Sequence, residues 1–81
     1  MNVKVLYFAS AQGLANVRSE EISLEEGSVV RDLASKMLAL HPTLKGIEET
    51  IRYSVNFVIE GKDTPLHEGD EVAVLPPVAG G

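Results

Sequence analysis

The chain has 81 residues, 44% of them apolar, which fits one small folded domain and leaves no room for a second. Twelve acidic against seven basic residues give a formal charge of −5, which argues against nucleic acid, since binding a phosphate backbone needs clustered Lys and Arg. There is no cysteine, hence no disulfide, thiolate nucleophile or Cys-based metal site, and no apolar run long enough to span a membrane and no signal-peptide layout, so a soluble cytoplasmic protein without a membrane association is expected.

Val3 to Ala9 is a run of β-formers. Val3, Val5 and Tyr7 share one face, Leu6 and Phe8 the other, and apolar residues on both faces predict a central strand covered on both sides. Ser10 to Asn16 breaks the alternation, and Ser10 is placed to cap a short helical turn. Arg18 to Leu24 alternates again, with Glu20, Ile22 and Leu24 on one face, and reads as a strand nearer an edge. Glu25-Glu26-Gly27 is a turn. Ser28 is the expected N-cap of the main helix, with Asp32 in its first turn where the helix dipole favours negative charge. Val29, Val30, Leu33, Met37 and Leu40 fall at helical spacing, and His41-Pro42 ends the helix.

Leu44, Ile47 and Ile51 suggest a short second helix. Tyr53, Val55, Phe57 and Ile59 alternate as one further strand. Glu60 to Asp63 is a turn, Thr64-Pro65-Leu66 a short extended piece, and His67 to Asp70 another turn. Glu71 to Leu75 is the last strand, apolar on both faces and so again central. The two strands that are apolar on both faces are best satisfied as neighbours in mid-sheet. The expected fold is therefore α+β, a ubiquitin-like β-grasp over residues 1–75, with a mixed sheet of four to five strands and one main helix packed across it.

Residues 76–81 are expected to form an extended tail. Pro76 and Pro77 fix φ and favour an extended course, and Val78 and Ala79 lead to Gly80-Gly81, which carries no side chains and so can pass through a narrow channel. Four residues past Pro77 reach roughly 13 Å at about 3.3 Å each. Gly81 as a last residue offers a free α-carboxyl, so the expectation is a compact body that presents a reactive end to another protein's active site.

Gly69-Asp70-Glu71-Val72-Ala73-Val74-Leu75-Pro76-Pro77-Val78-Ala79-Gly80-Gly81 resembles the C-terminus of the small, sulfur-carrying subunits of molybdopterin synthase. Val3 to Ala9, Val55-Asn56 and Asp63-Thr64-Pro65-Leu66 resemble the same family. The likeness covers the whole chain; Ala79 stands where Ser or Thr is common. The resemblance implies a non-catalytic subunit that binds no cofactor itself. An activating partner uses ATP to adenylate Gly81, a persulfide donor converts the adenylate to a thiocarboxylate, and the tail enters the large synthase subunit to give its sulfur to a pyranopterin precursor. The implied assembly is a heterotetramer of two small and two large subunits.

Phe8, Ile59 and Leu75 read from the residues alone are either core or partner contacts, and the resemblance implies that they pack on the partner subunit. His41 and His67 lack partners at metal-ligand spacing and read as turn or cap residues. Asp63, Glu68, Asp70 and Glu71 lack the spacing of a calcium loop and read as solvated turn carboxylates. Three other functions fit the tail. A carrier for thiamine or tRNA thiolation would be told apart by complementation, a protein modifier joined through Gly81 by conjugate ladders, and a plain interaction module by indifference to loss of the two glycines.

Overall fold

In the computed structural model, which describes residues 1–77, the elements run β1 (Asn2–Tyr7), α1 (Ala9–Ala15), β2 (Ser19–Ser23), α2 (Val30–Leu40), a 3-10 segment (Pro42–Thr50), β3 (Arg52–Val55), β4 (Val58–Glu60) and β5 (Glu71–Leu75). The five strands form one mixed sheet in the order β2-β1-β5-β3-β4. The first and last strands are parallel neighbours at its centre, as their two apolar faces predict, and the other three pairings are antiparallel.

Period-2 alternation sorts the sheet into two faces. Val3, Val5 and Tyr7 of β1, Ile22 of β2, Tyr53 and Val55 of β3, and Val72 and Val74 of β5 all turn inward and are buried. Leu33 and Met37 of α2 and Leu44 of the 3-10 segment join the same core and are fully buried. Each such aliphatic side chain contributes about 1.5–3 kcal/mol of transfer free energy, so α2 is held by its buried stripe rather than by helix propensity.

Ser10 does not cap the first helix, which starts at Ala9 after Phe8 with no side-chain cap bond; four further expectations are corrected. The helix N-cap is Val29, not Ser28; Asp32 Oδ2 accepts the Val29 N–H at 2.8 Å, while Ser28 is engaged through its backbone with Glu25 and Leu66. Leu40, the last residue of the helix, is 54% exposed and lies outside the buried stripe of Val30, Leu33 and Met37. The second faces of β1 and β5 are only partly covered: Leu6, Ala73 and Leu75 are half-buried and Lys4 is exposed.

The fourth correction concerns Tyr53 to Ile59, which is a hairpin and not one strand. Asn56 and Phe57 both have positive φ, 50° and 75°, which is the pattern of a two-residue type I′ turn between β3 and β4. Asn56 tolerates this conformation and also ties the turn down. Its backbone N–H donates to Glu71 O at 2.8 Å, its Oδ1 accepts the Glu71 N–H at 3.0 Å, and its Nδ2 donates to Asp70 Oδ1 at 2.9 Å.

Candidate functional site

β5 is the strand that delivers the tail, and it lies between β1 and β3. Its ladder partners fix what surrounds the tail root. On the outer face, Leu6, Ala73, Ser54 and Ile59 form one row across β1, β5, β3 and β4, because each is the direct cross-strand partner of the next. One step nearer the tail, Leu75 stands opposite Arg52. Phe8 keeps an extended backbone (φ −117°, ψ 157°) and continues the outer alternation of Lys4 and Leu6, with its N–H donating to Val74 O at 3.3 Å. The chain then turns away at Ala9, whose φ is 49°.

The three predicted contact residues therefore share the outer face, Phe8 and Leu75 at its tail end and Ile59 in the middle row on the edge strand. Phe8 is 45% exposed, Ile59 is 54% exposed and Leu75 is half-buried. Large apolar side chains left open on one contiguous face mark an interaction surface. Pro76 is buried and Pro77 exposed, so the first ring of the stem packs on the body. Val78, Ala79, Gly80 and Gly81 lie outside the described residues. Leu6 and Ala73 belong to the same row and were not singled out from the sequence; the alternation of β1 and β5 carries the signal that finds them.

Beneath this surface, on the inner face, lies a polar knot. The Tyr7 hydroxyl donates to Glu20 Oε2 at 2.5 Å, and His41 Nε2 meets the same oxygen at 2.5 Å. The rings of Tyr7 and His41 meet edge to face, 5.5 Å apart. Burial, reinforced by the Glu20 carboxylate, pushes the Tyr7 phenol well above its ordinary range. Tyr53 is pushed up to about 12, chiefly by burial and then by Glu48. His41 caps the C-terminus of α2 through its N–H to Met37 O, and so pins the helix end to β1 and β2. The turn carboxylates are engaged locally: Asp63 with Arg31, Glu68 with the Asn2 N–H, and Asp70 with Asn56 and the His67 N–H.

These features have counterparts in known proteins. The ThiS family profile matches residues 5–81. The molybdopterin synthase sulfur carrier subunit of Chlamydomonas reinhardtii is 36% identical, with 100% of both chains covered. Subunit 1 of a molybdopterin converting factor from Pyrococcus furiosus has a TM-score of 0.89 at 38% identity, covering 96% of this chain and 99% of that one. The complex of subunits 1 and 2 of molybdopterin-converting factor from Helicobacter pylori contains a chain with a TM-score of 0.73 at 26% identity, both chains covered in full. Small archaeal modifier protein 1 from Methanosarcina acetivorans is also similar, with a TM-score of 0.80 at 30% identity over 99% of this chain and 96% of that one. The chain belongs to the ThiS family of ubiquitin-like proteins, and molybdopterin synthase sulfur carrier subunits are its relatives along its whole length.

Proposed function

We propose that this chain is the sulfur-carrying small subunit of a molybdopterin synthase. The observation that supports this most is the full-length likeness to subunits of that name, in a chain whose last strand, β5, leads to Pro76-Pro77 beside an open apolar face and whose sequence ends in Gly80-Gly81. In this reading Gly81 is the reacting residue. Its carboxylate is a poor acyl donor because oxide is a poor leaving group. A partner enzyme joins it to AMP from ATP with loss of pyrophosphate. The outer sulfur of a persulfide then bonds to the carbonyl carbon as AMP departs, and a thiol splits the sulfur–sulfur bond to free a thiocarboxylate.

The body supplies placement. Phe8, Ile59 and Leu75 dock on the large subunit, whose pairing with a chain of this kind is seen in the Helicobacter pylori complex. Docking holds the Pro76-Pro77 stem so that Val78, Ala79, Gly80 and Gly81 thread into the partner's pocket. The sulfur then meets the pyranopterin precursor as a tethered and not a diffusing nucleophile, which raises its effective concentration. Two deliveries complete the dithiolene.

Incubation with the cognate activating enzyme, ATP and a sulfur donor is expected to raise the protein's mass by one oxygen-to-sulfur exchange, and deletion of Gly81 to abolish the change. An unchanged mass would overturn the reading. The likeness to a small archaeal modifier protein supports a second use, conjugation of Gly81 to lysine amines, which would show as ladders on blots of cell extracts.

A further inference from the structure

Phe57 combines two costs at one position. It is 89% exposed, the most open large apolar side chain among the described residues, and it sits at φ 75°, a conformation that bulky L-residues avoid. Gly is the residue that a type I′ turn favours there. A strained backbone under an unburied aromatic ring does nothing for the folded monomer, and such outliers cluster at ligand clamps.

Its neighbours extend the same surface. Val58 is 57% exposed on the inner side of β4, where it pairs with Val55 at the sheet edge, and Ile59 carries the apolar strip round to the outer row of the docking face. Phe57, Val58 and Ile59 thus make the outermost strand apolar on both faces and at its tip. Glu60 follows directly, and Asp70 and Glu71 are held beside the turn by their bonds to Asn56. An apolar knob next to carboxylates fits a pocket that is apolar at its base and rimmed by Lys or Arg, and buried aromatic anchors of this kind dominate interface energetics.

We propose that the β3–β4 hairpin tip, with Phe57 as its anchor, is a second docking point for the large synthase subunit, at the opposite end of the sheet from the tail root. This rests on the reading of the chain as the small subunit and adds a contact to it. Two separated anchors would fix the orientation of the body, and with it the line along which the tail enters.

The test uses two substitutions in the full chain. Phe57→Gly relieves the positive φ, so its melting temperature is expected to stay level or rise, whereas affinity for the purified large subunit, measured by calorimetry, falls at least about tenfold. Glu60→Lys is expected to weaken the same complex, and most at low salt. Unchanged affinity of Phe57→Gly would overturn the inference while leaving the small-subunit reading intact. Failure of the unsubstituted chain to bind the large subunit would overturn both.

Discussion

Tyr7 closes a part-buried hydrogen-bonded unit with Glu20 and His41, so Tyr7→Phe is expected to cost about 1 kcal/mol in urea unfolding. The phenols also set the alkaline limit of the fold. An unfolded tyrosine loses its proton near pH 10, whereas folded Tyr53 holds its proton to about 12 and Tyr7 is raised further still. Between those values the folded state binds more protons than the unfolded one, so this stabilisation is complete below about pH 10 and is lost as pH rises through the folded pKa. Unfolding free energies measured from about pH 8 to about pH 11 should be level at first and then decline, and the phenolate absorbance of the native protein should lag behind that of the denatured chain. A flat stability profile would contradict the burial argument.

At the scale of elements, α2 rests on its buried stripe and on a cap at each end. Leu33→Ala should lose about 2–5 kcal/mol, because a fully buried site cannot collapse around the missing atoms. Asp32→Ala should lose about 1 kcal/mol through the orphaned Val29 N–H. Much of this architecture is legible in the residues. The inward alternation of Val3, Val5 and Tyr7, and of Val72 and Val74, together with the apolar positions opposite them, puts β1 and β5 at the centre, and the stripe of Val30, Leu33 and Met37 marks α2. The hairpin was not legible. Phe57 continues a period-2 apolar pattern from Tyr53 to Ile59, and no Gly follows Asn56 to announce the turn; the bonds from Asn56 to Asp70 and Glu71 join positions far apart in sequence, which local pattern cannot supply. Ser28 misleads for a similar reason, since its backbone is taken up by Glu25 and Leu66 and the cap passes to the next residue.

For the whole molecule, the outer face was legible only in part. Phe8, Ile59 and Leu75 were identified together, yet the row of Leu6, Ala73 and Ser54 that leads across the face to Ile59 needs the register of four strands. That face makes a separable prediction: Ile59→Asp, at an exposed position, should leave stability within about 1 kcal/mol and weaken binding to the large subunit at least about tenfold. Both outcomes are needed, since lost binding with lost folding would say nothing of the surface. The account as a whole stands on sulfur leaving from Gly81. Its most direct test is a single-turnover reaction in which the thiocarboxylated chain, carrying isotopically labelled sulfur, is mixed with the large subunit and the pyranopterin precursor. The account predicts that the label moves to the pterin product, one sulfur per chain, as Gly81 returns to an ordinary carboxylate. Label that remains on the protein while product forms would contradict it.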